Sequence, residues 1–151
     1  MIRPYCGADL DGVFRLDEVC FASEFRFGRL SMRRFAEAKD AITLVAEDDA
    51  LGIAGFVIVH LEAAQGGCRG YVVTLDVAPE FRRLGLAGQL MDEVERQVGL
   101  RGADRVELHA FSGNEAGIAF YETRGYTRVE TRRGYYGVGI DAYVYRKTLT
   151  Q

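Results

Sequence analysis

Apolar residues recur along this chain at two spacings, near 3.6 and near 2, and the switches between them outline the elements. Residues 2–6 read as a short strand ended by Gly7. A helix then begins at Ala8-Asp9-Leu10-Asp11, with Leu10, Val13, Phe14 and Val19 with Cys20 at helical spacing and Asp9 placed to cap it. Ser31 is placed to cap a second, short helix through Ala38. Residues 42–47 and 53–61 are strand candidates on either side of Asp48-Asp49, the layout of a hairpin. Ala64-Gln65-Gly66-Gly67 reads as a loop whose length can vary without disturbing the core. From Tyr71 to Val77 both alternating faces are largely apolar, with 71, 73, 75 and 77 on one and 72, 74 and 76 on the other, which predicts an interior strand. Ala87, Leu90, Met91, Val94 and Val98 then form one helical stripe, with Asp92, Glu93, Glu95 and Arg96 outside it and Gly99 or Gly102 to end it. Residues 105–111 form a strand, Asn114 starts a third main helix that Gly125 ends, and 126–129 and 142–147 are final strands around a Gly-rich loop.

The predicted order is therefore β, α, α, β, β, β, α, β, α, β, β. An α/β fold satisfies it, with a mixed twisted sheet and helices on both faces. Strands 71–77 and 105–111 are joined by a helix, so they are expected to be adjacent and parallel in a right-handed unit. No linker, internal repeat or low-complexity stretch interrupts the pattern, and residues 1–151 are read as a single domain.

Composition narrows the function classes. The chain is 48% hydrophobic and 27% charged, enough apolar material for a packed core. A net charge of -3 recommends neither nucleic acid nor an anionic membrane surface as partner, although nearly all its basic residues are arginine. Cys6, Cys20 and Cys68 are odd in number and lack metal-ligand spacing, which points to a reduced, cytoplasmic protein. The opening Met-Ile-Arg-Pro-Tyr-Cys turns polar at once, unlike a cleaved signal, and no apolar run is long enough to span a bilayer. His60 and His109 lie far apart among scattered carboxylates, so no metal is expected.

The chemistry concentrates between Val72 and Gly88. A β-rich run feeds Pro79, then the basic turn Arg82-Arg83-Leu84-Gly85, and then the helical stripe. Free amides at a helix start, with two guanidinium groups beside them, make a receptacle for a pyrophosphate. The turn lacks Gly-x-Gly-x-x-Gly, so it is no dinucleotide fingerprint. A solvated basic turn is the alternative for the arginine side chains. Phe21, Phe25 and Phe27, near one another in a loop, either plug a satellite of the core or line a ligand groove.

Two motifs carry a resemblance that covers nearly the whole chain. Arg82-x-x-Gly85-x-Ala87, together with Asn114-(x6)-Tyr121-(x3)-Gly125-Tyr126, is similar to the GNAT superfamily of acetyl-CoA-dependent N-acetyltransferases. The resemblance implies an acyl-CoA fold in which the strands corresponding to 71–77 and 105–111 splay apart. It assigns acetyl-CoA to Leu75, Asp76, Val77, Arg82, Arg83, Leu84, Gly85, Leu86, Ala87, Gly88, Asn114 and Tyr121. Amides of about 83–88 would hold the pyrophosphate, and backbone near Leu75 and Val77 would pair with the pantetheine arm. A backbone N–H near Val77 would polarise the thioester carbonyl. Asn114 would meet the same arm, with helix capping as its other role.

Within the superfamily, Tyr71-Val-Val-Thr-Leu75, His109, and Tyr135-Tyr136 with Asp141-Ala142-x-Val144 resemble protein N-terminal (Nα) acetyltransferases of the ribosomal-protein alanine and Met-initiated types. This implies that Tyr71 and His109 activate the amine and that Tyr121 acts as general acid toward the CoA sulfur. The bacterial ribosomal branch has glutamate where His109 stands here, and Ala22 replaces the proline usual after the first loop aromatic in the Met-accepting branch. Phe21, Phe25, Val73, Tyr135 and Tyr136 are the expected substrate contacts.

The plainer alternatives stay open: Glu107, on the face of His109, as base; Tyr121 as a packing aromatic; Tyr135-Tyr136 as an exposed hairpin pair. The expected reaction is direct attack of a protein or peptide α-amine, ribosomal proteins among the candidate acceptors, with no acyl-enzyme. The alternatives are acetylation of a small amine, acetylation of lysine side chains, and a non-catalytic acyl-CoA-binding module.

Overall fold

The computed structural model describes residues 1–149. Its elements follow the predicted order: β1 (Ile2–Pro4), α1 (Leu10–Cys20), α2 (Arg29–Ala36), β2 (Ala41–Asp48), β3 (Gly52–Ala64), β4 (Gly67–Val77), α3 (Leu86–Leu100), β5 (Arg105–Phe111), α4 (Glu115–Thr123), β6 (Thr127–Gly137) and β7 (Ile140–Thr148). The strands form one seven-stranded mixed sheet in the order β1-β2-β3-β4-β5-β7-β6. All neighbours are antiparallel except β4 and β5, which are parallel and joined through α3 as expected.

Each face of the sheet has its own core. On one, the α3 stripe of Leu90, Met91, Val94 and Val98 meets Val57, Val59, Val72, Val106 and Leu108, with Ile118, Phe120 and Tyr121 of α4 packed alongside. On the other, Val13, Leu16, Met32 and Ala36 of α1 and α2 meet Val45, Phe56 and Ile58. Helices therefore cover both faces.

The first core depends on a close approach. A Cβ at Gly55 would stand 3.3 Å from Leu90 Cδ1 and 3.1 Å from the Asp76 carbonyl oxygen, so α3 lies directly on the β3 backbone. Leu90 is fully buried there. Leu90→Ala is expected to cost about 2–5 kcal/mol in urea unfolding, the range for a core leucine whose surroundings cannot collapse. A loss under about 1 kcal/mol would mean that α3 is not seated this tightly.

Several expected details are corrected. Asp9 precedes α1 but gives it no side-chain cap. Its carboxylate turns back to accept the Cys6 N–H at 2.8 Å and to pair with Arg3 at 2.7 and 2.9 Å, and the Arg3 hydrogen bonds hold it below the ordinary aspartate range. Ser31 lies inside α2, whose N-cap is Gly28. The presumed loop at 64–67 is a tight turn, since β3 and β4 pair as far as Ala64↔Gly67. The last two strands are longer than predicted. Nearly all of β6 is exposed and arginine-rich, so no apolar alternation announced it, and pairing with β7 defines it.

The alternation of β4 is also broken. Ile58 pairs with Thr74 and Val59 with Val72, leaving Val73 as the extra residue of a bulge. Val72 and Leu75 pack with the α3 core, whereas Val73 packs with the core under α1 and α2. Residues 71, 73, 75 and 77 therefore do not share one face.

Candidate active site

A split in the sheet sets the site's position. β4 and β5 pair only from Arg69↔Arg105 to Val72↔Leu108. Past that point His109, Ala110 and Phe111 pair with β7, and β4 continues beside β3 to Val77. The bulge at Val73 marks the parting. From 73 to 77 one flank of β4 has no strand beside it, a stretch of about 17 Å at about 3.3 Å per residue. Backbone groups along such a flank need other partners.

The open end of the split leads into an anion cradle. After a 3-10 turn at Pro79–Phe81 the chain passes through Arg83 at φ 66° and Gly85 at φ 83°, then enters α3. Left-handed backbone at a non-glycine residue costs about 1–2 kcal/mol, strain that clusters at functional sites. Gly85 is the N-cap of α3 and provides no side-chain cap. Among the described residues no amide from Arg83 to Gly88 makes a close backbone hydrogen bond, and the next that does is Gln89, bonded to the Gly85 carbonyl at 3.0 Å. Nothing stands within 4 Å of a Cβ placed on Gly85. Bare amides at the positive end of a helix, open to approach, suit a phosphate group. Arg82 lies in an exposed turn, and its Nε donates to the Val77 carbonyl at 3.2 Å, which ties the turn to β4.

At the apex of the split stand Tyr71, just before the parting, and His109, just after it. The Tyr71 hydroxyl and His109 Nδ1 are 2.7 Å apart. Tyr135 stacks on the imidazole at 4.3 Å, almost parallel, and Arg69 lies over the Tyr71 ring at 5.1 Å. His109 Nε2 is buried with no partner among the described residues. Burial, and then the positive charges of Arg132 and Arg69, lower the imidazole pKa below its ordinary value, so the ring is neutral at neutral pH. Burial raises the Tyr71 hydroxyl, which stays protonated.

Glu107 is not available as a base. It is 5% exposed and bonded at 2.5 Å to both Arg69 Nη1 and Arg146 Nε. Burial alone would raise its pKa, but these two guanidinium groups bring it below the ordinary range. Its carboxylate is thus fixed as the centre of an ion cluster.

An aromatic cluster adjoins the histidine. Phe25 of the loop between α1 and α2 lies 5.1 Å from Phe111 and 4.9 Å from Tyr136, and Tyr136 lies 5.0 Å from Tyr135. Phe25, Tyr135 and Tyr136 thus come together as predicted. Phe21 does not join them: it follows α1, and its carbonyl accepts from Arg26 Nε at 2.8 Å. Val73 faces the second core from the bulge. Phe111 was missed, although it follows His109 by two residues on the same face of β5.

Two more residues approach from α4. Asn114 caps that helix through Oδ1, which accepts the Gly117 N–H at 3.0 Å, and leaves Nδ2 free to donate. The Tyr121 ring packs on Phe120 and Tyr126, but its hydroxyl makes no hydrogen bond among the described residues. Burial first, then the neighbouring Asp76, raises its pKa, so it carries its proton at neutral pH. Cys20 is nearby, donating to the Val77 carbonyl at 3.4 Å, and burial pushes its thiol up to about 11, well short of a ready nucleophile. Among the described residues no group of three or more His, Cys, Asp or Glu is arranged to hold a metal, and no helix is long and apolar enough to cross a membrane.

Such a site suits transfer of a group borne on a phosphate-containing carrier to an acceptor at the apex. The chain matches the acetyltransferase (GNAT) family over residues 10–126 and belongs to it. It is 34% identical over 113 residues to the N-alpha-acetyltransferase daf-31 of Caenorhabditis elegans, covering 73% of this chain and 62% of that protein. It is 36% identical over 107 residues to the N-terminal acetyltransferase A complex catalytic subunit NAA10 of Arabidopsis thaliana, covering 70% and 56%. The matched region thus spans less than two thirds of either relative. Among solved structures, the Escherichia coli ribosomal-protein-S18-alanine N-acetyltransferase superposes with a TM-score of 0.86 at 19% identity, over 100% of this chain and 94% of that one. Arabidopsis thaliana Naa50, in complex with the bisubstrate analogue CoA-Ac-MVNAL, gives 0.83 at 24% identity, over 99% and 98%. At these identities the superpositions speak to the fold alone.

Proposed function

We propose that this protein transfers the acetyl group of acetyl-CoA to the α-amino group of protein or peptide N-termini. The observation that carries the reading is the Tyr71–His109 pair at the apex of the split, 2.7 Å apart and roofed by Tyr135. The names of the two curated relatives support it. Acetyl-CoA supplies the acyl group as a thioester. The amides from Arg83 to Gly88 hold its pyrophosphate, the free flank at Leu75–Val77 meets its amide arm, and Asn114 Nδ2 donates from α4.

Acceptor chemistry follows from the charges. An α-ammonium has a pKa near 8, so a neutral imidazole is a sufficient base. His109 takes the proton directly or through a water that Tyr71 orients. Tyr121, protonated and with a free hydroxyl, donates to the departing sulfur. Both reactants are held in line, and no cysteine is needed as an intermediate carrier. Phe25, Phe111 and Tyr136 form the surface against which the acceptor's first residue packs.

A small polycationic amine suits this site less well. The carboxylate closest to His109 along β5, Glu107, is already neutralised by Arg69 and Arg146. A lysine side chain, with a pKa near 10.4, asks more of the base than a lowered imidazole offers. The deciding assay offers Met-, Ser- and Ala-initiated peptides and N-blocked lysine peptides, with mass spectrometry to locate the acetyl group. Modification of α-amines is expected. Acetylation confined to lysine side chains or to small amines would overturn the reading, and so would acetyl-CoA binding without transfer to any peptide.

A further inference from the structure

Two side-chain carboxyl groups beneath the open flank of β4 have no part in the chemistry above, which uses only the backbone there. Asp76 on β4 and Asp17 on α1 are each 1% exposed, next to the apolar core of Val13, Phe56, Ile58 and Ala78. Asp76 Oδ1 accepts the Thr74 hydroxyl at 2.5 Å. Asp17 Oδ2 accepts the backbone N–H of Phe27 at 3.0 Å. The remaining two oxygens, Asp76 Oδ2 and Asp17 Oδ1, are fully buried and have no partner. α1 packs on β4 here, with Cys20 Sγ donating to the Val77 carbonyl at 3.4 Å, and after burial Asp17 is the group that acts most strongly on Asp76.

Two adjacent carboxylates in a dry interior cannot both stay ionised, and an orphaned buried oxygen carries its full desolvation penalty. A single hydrogen between the two orphaned oxygens removes both penalties. We infer that Asp76 and Asp17 share one proton, and that this acid–carboxylate pair is a positioning device that fastens the 21–28 loop to β4 and thereby sets the acceptor side of the site. The connection runs from the Thr74 hydroxyl through Asp76 and Asp17 to the Phe27 amide. Two residues before Phe27, Phe25 meets Phe111 and Tyr136 in the aromatic cluster.

The surroundings fix the sign of the pH dependence. Cys20 faces Asp76 from α1, Tyr121 from α4 and Arg82 from the turn before α3, while its partner across β3 is the apolar Phe56. Burial and then Asp17 hold Asp76 well above the usual carboxylate range, against a weaker opposing pull from Arg82. The raised group keeps its proton, and with it the loop's anchorage, at neutral pH and below. Both are lost as pH rises through that raised value, when two buried carboxylates repel.

The test compares Asp76→Asn, whose amide can accept from Thr74 and donate to Asp17 without titrating, with Asp76→Leu, which can do neither. Two readouts are taken across pH: hydrogen-exchange protection of the Phe27 amide, and KM for the acceptor peptide. In the wild type, protection is expected to fall and acceptor KM to rise at alkaline pH relative to Asp76→Asn, which removes the common titration of amine and His109 from the comparison. Asp76→Leu is expected to lose about tenfold in both at neutral pH, the scale of one charge-assisted hydrogen bond. Wild-type behaviour of Asp76→Leu, or equal damage in Asp76→Asn, would overturn the inference.

Should Asp76→Leu fail to fold, carbon-13 NMR of the carboxyl groups in the wild type decides. One of the pair is expected to stay protonated at neutral pH, and two ionised carboxylates there would overturn it. The kinetic arm rests on the N-terminal acceptor reading. The exchange and carbon measurements do not, so the two can fail separately.

Discussion

His109→Ala is expected to lower kcat/KM for the acceptor by about 10²–10³-fold at pH 7, within the range for removing a positioned general base. That corresponds to about 3–4 kcal/mol of transition-state stabilisation. The pH profile gives a sharper signature than the rate alone. The acceptor amine must lose a proton, so log kcat/KM rises with a slope of one below the amine pKa. A neutral His109 is also required, and a second break steepens the slope to two where the imidazole protonates. Because burial, Arg132 and Arg69 depress that pKa, the second break belongs below the ordinary histidine value of 6.5. The wild type should show it and His109→Ala should not. Normal turnover in the variant, or a break above 6.5, would remove His109 from the role of base. Tyr71→Phe gives the accompanying result: a smaller loss, with the second break moved because Nδ1 has lost its partner.

Tyr121→Phe is expected to reduce kcat and kcat/KM together, by about 10²-fold, with both KM values little changed. Equal loss in the two parameters marks an interaction made only in the transition state. The substitution isolates the hydroxyl, since a phenylalanine ring keeps the packing on Phe120 and Tyr126. The phenol is raised above its ordinary value, so it donates throughout the neutral range, and the effect should not vary with pH there. An unchanged kcat would leave Tyr121 a purely structural residue. A rise in acetyl-CoA KM alone would make it a binding group and not an acid.

What could be read from the chain, and what could not, divides along physical lines. The element order was legible because most of the elements bury one stripe or one face, and burial imprints its period on the residues. The Leu90, Met91, Val94 and Val98 stripe is the clearest case. β6 left no such imprint: its Thr127–Gly137 stretch is polar and exposed on nearly every residue, held by hydrogen bonds to β7 that any sequence could make. The bulge at Val73 was equally silent, since Val72 and Val73 are both apolar and either could face either core.

Of the candidate site, the residues of 72–88 pointed to the cradle and family motifs to Tyr71, His109, Tyr121 and the Phe25–Tyr135–Tyr136 group, and the structure brings Tyr71 beside His109 and Phe25 beside Tyr136. Glu107 entered only as a reserve base, because alternation placed it on the face of His109 and could not reveal that Arg69 and Arg146 already held it. Asp17 and Asp76 are 59 positions apart in sequence, and only the packing of α1 on β4 makes them a pair.

The uncapped start of α3 bears on the protein's persistence as well as its chemistry. Ordinarily a serine or aspartate side chain closes such a helix, and here Gly85 provides none. An anion seated on those amides becomes the missing terminal residue, so the folded state gains free energy as the logarithm of one plus the ratio of free ligand to its dissociation constant. The melting temperature should therefore climb with the concentration of CoA species, and the survival of the chain against proteolysis would follow the cell's supply of activated acyl groups.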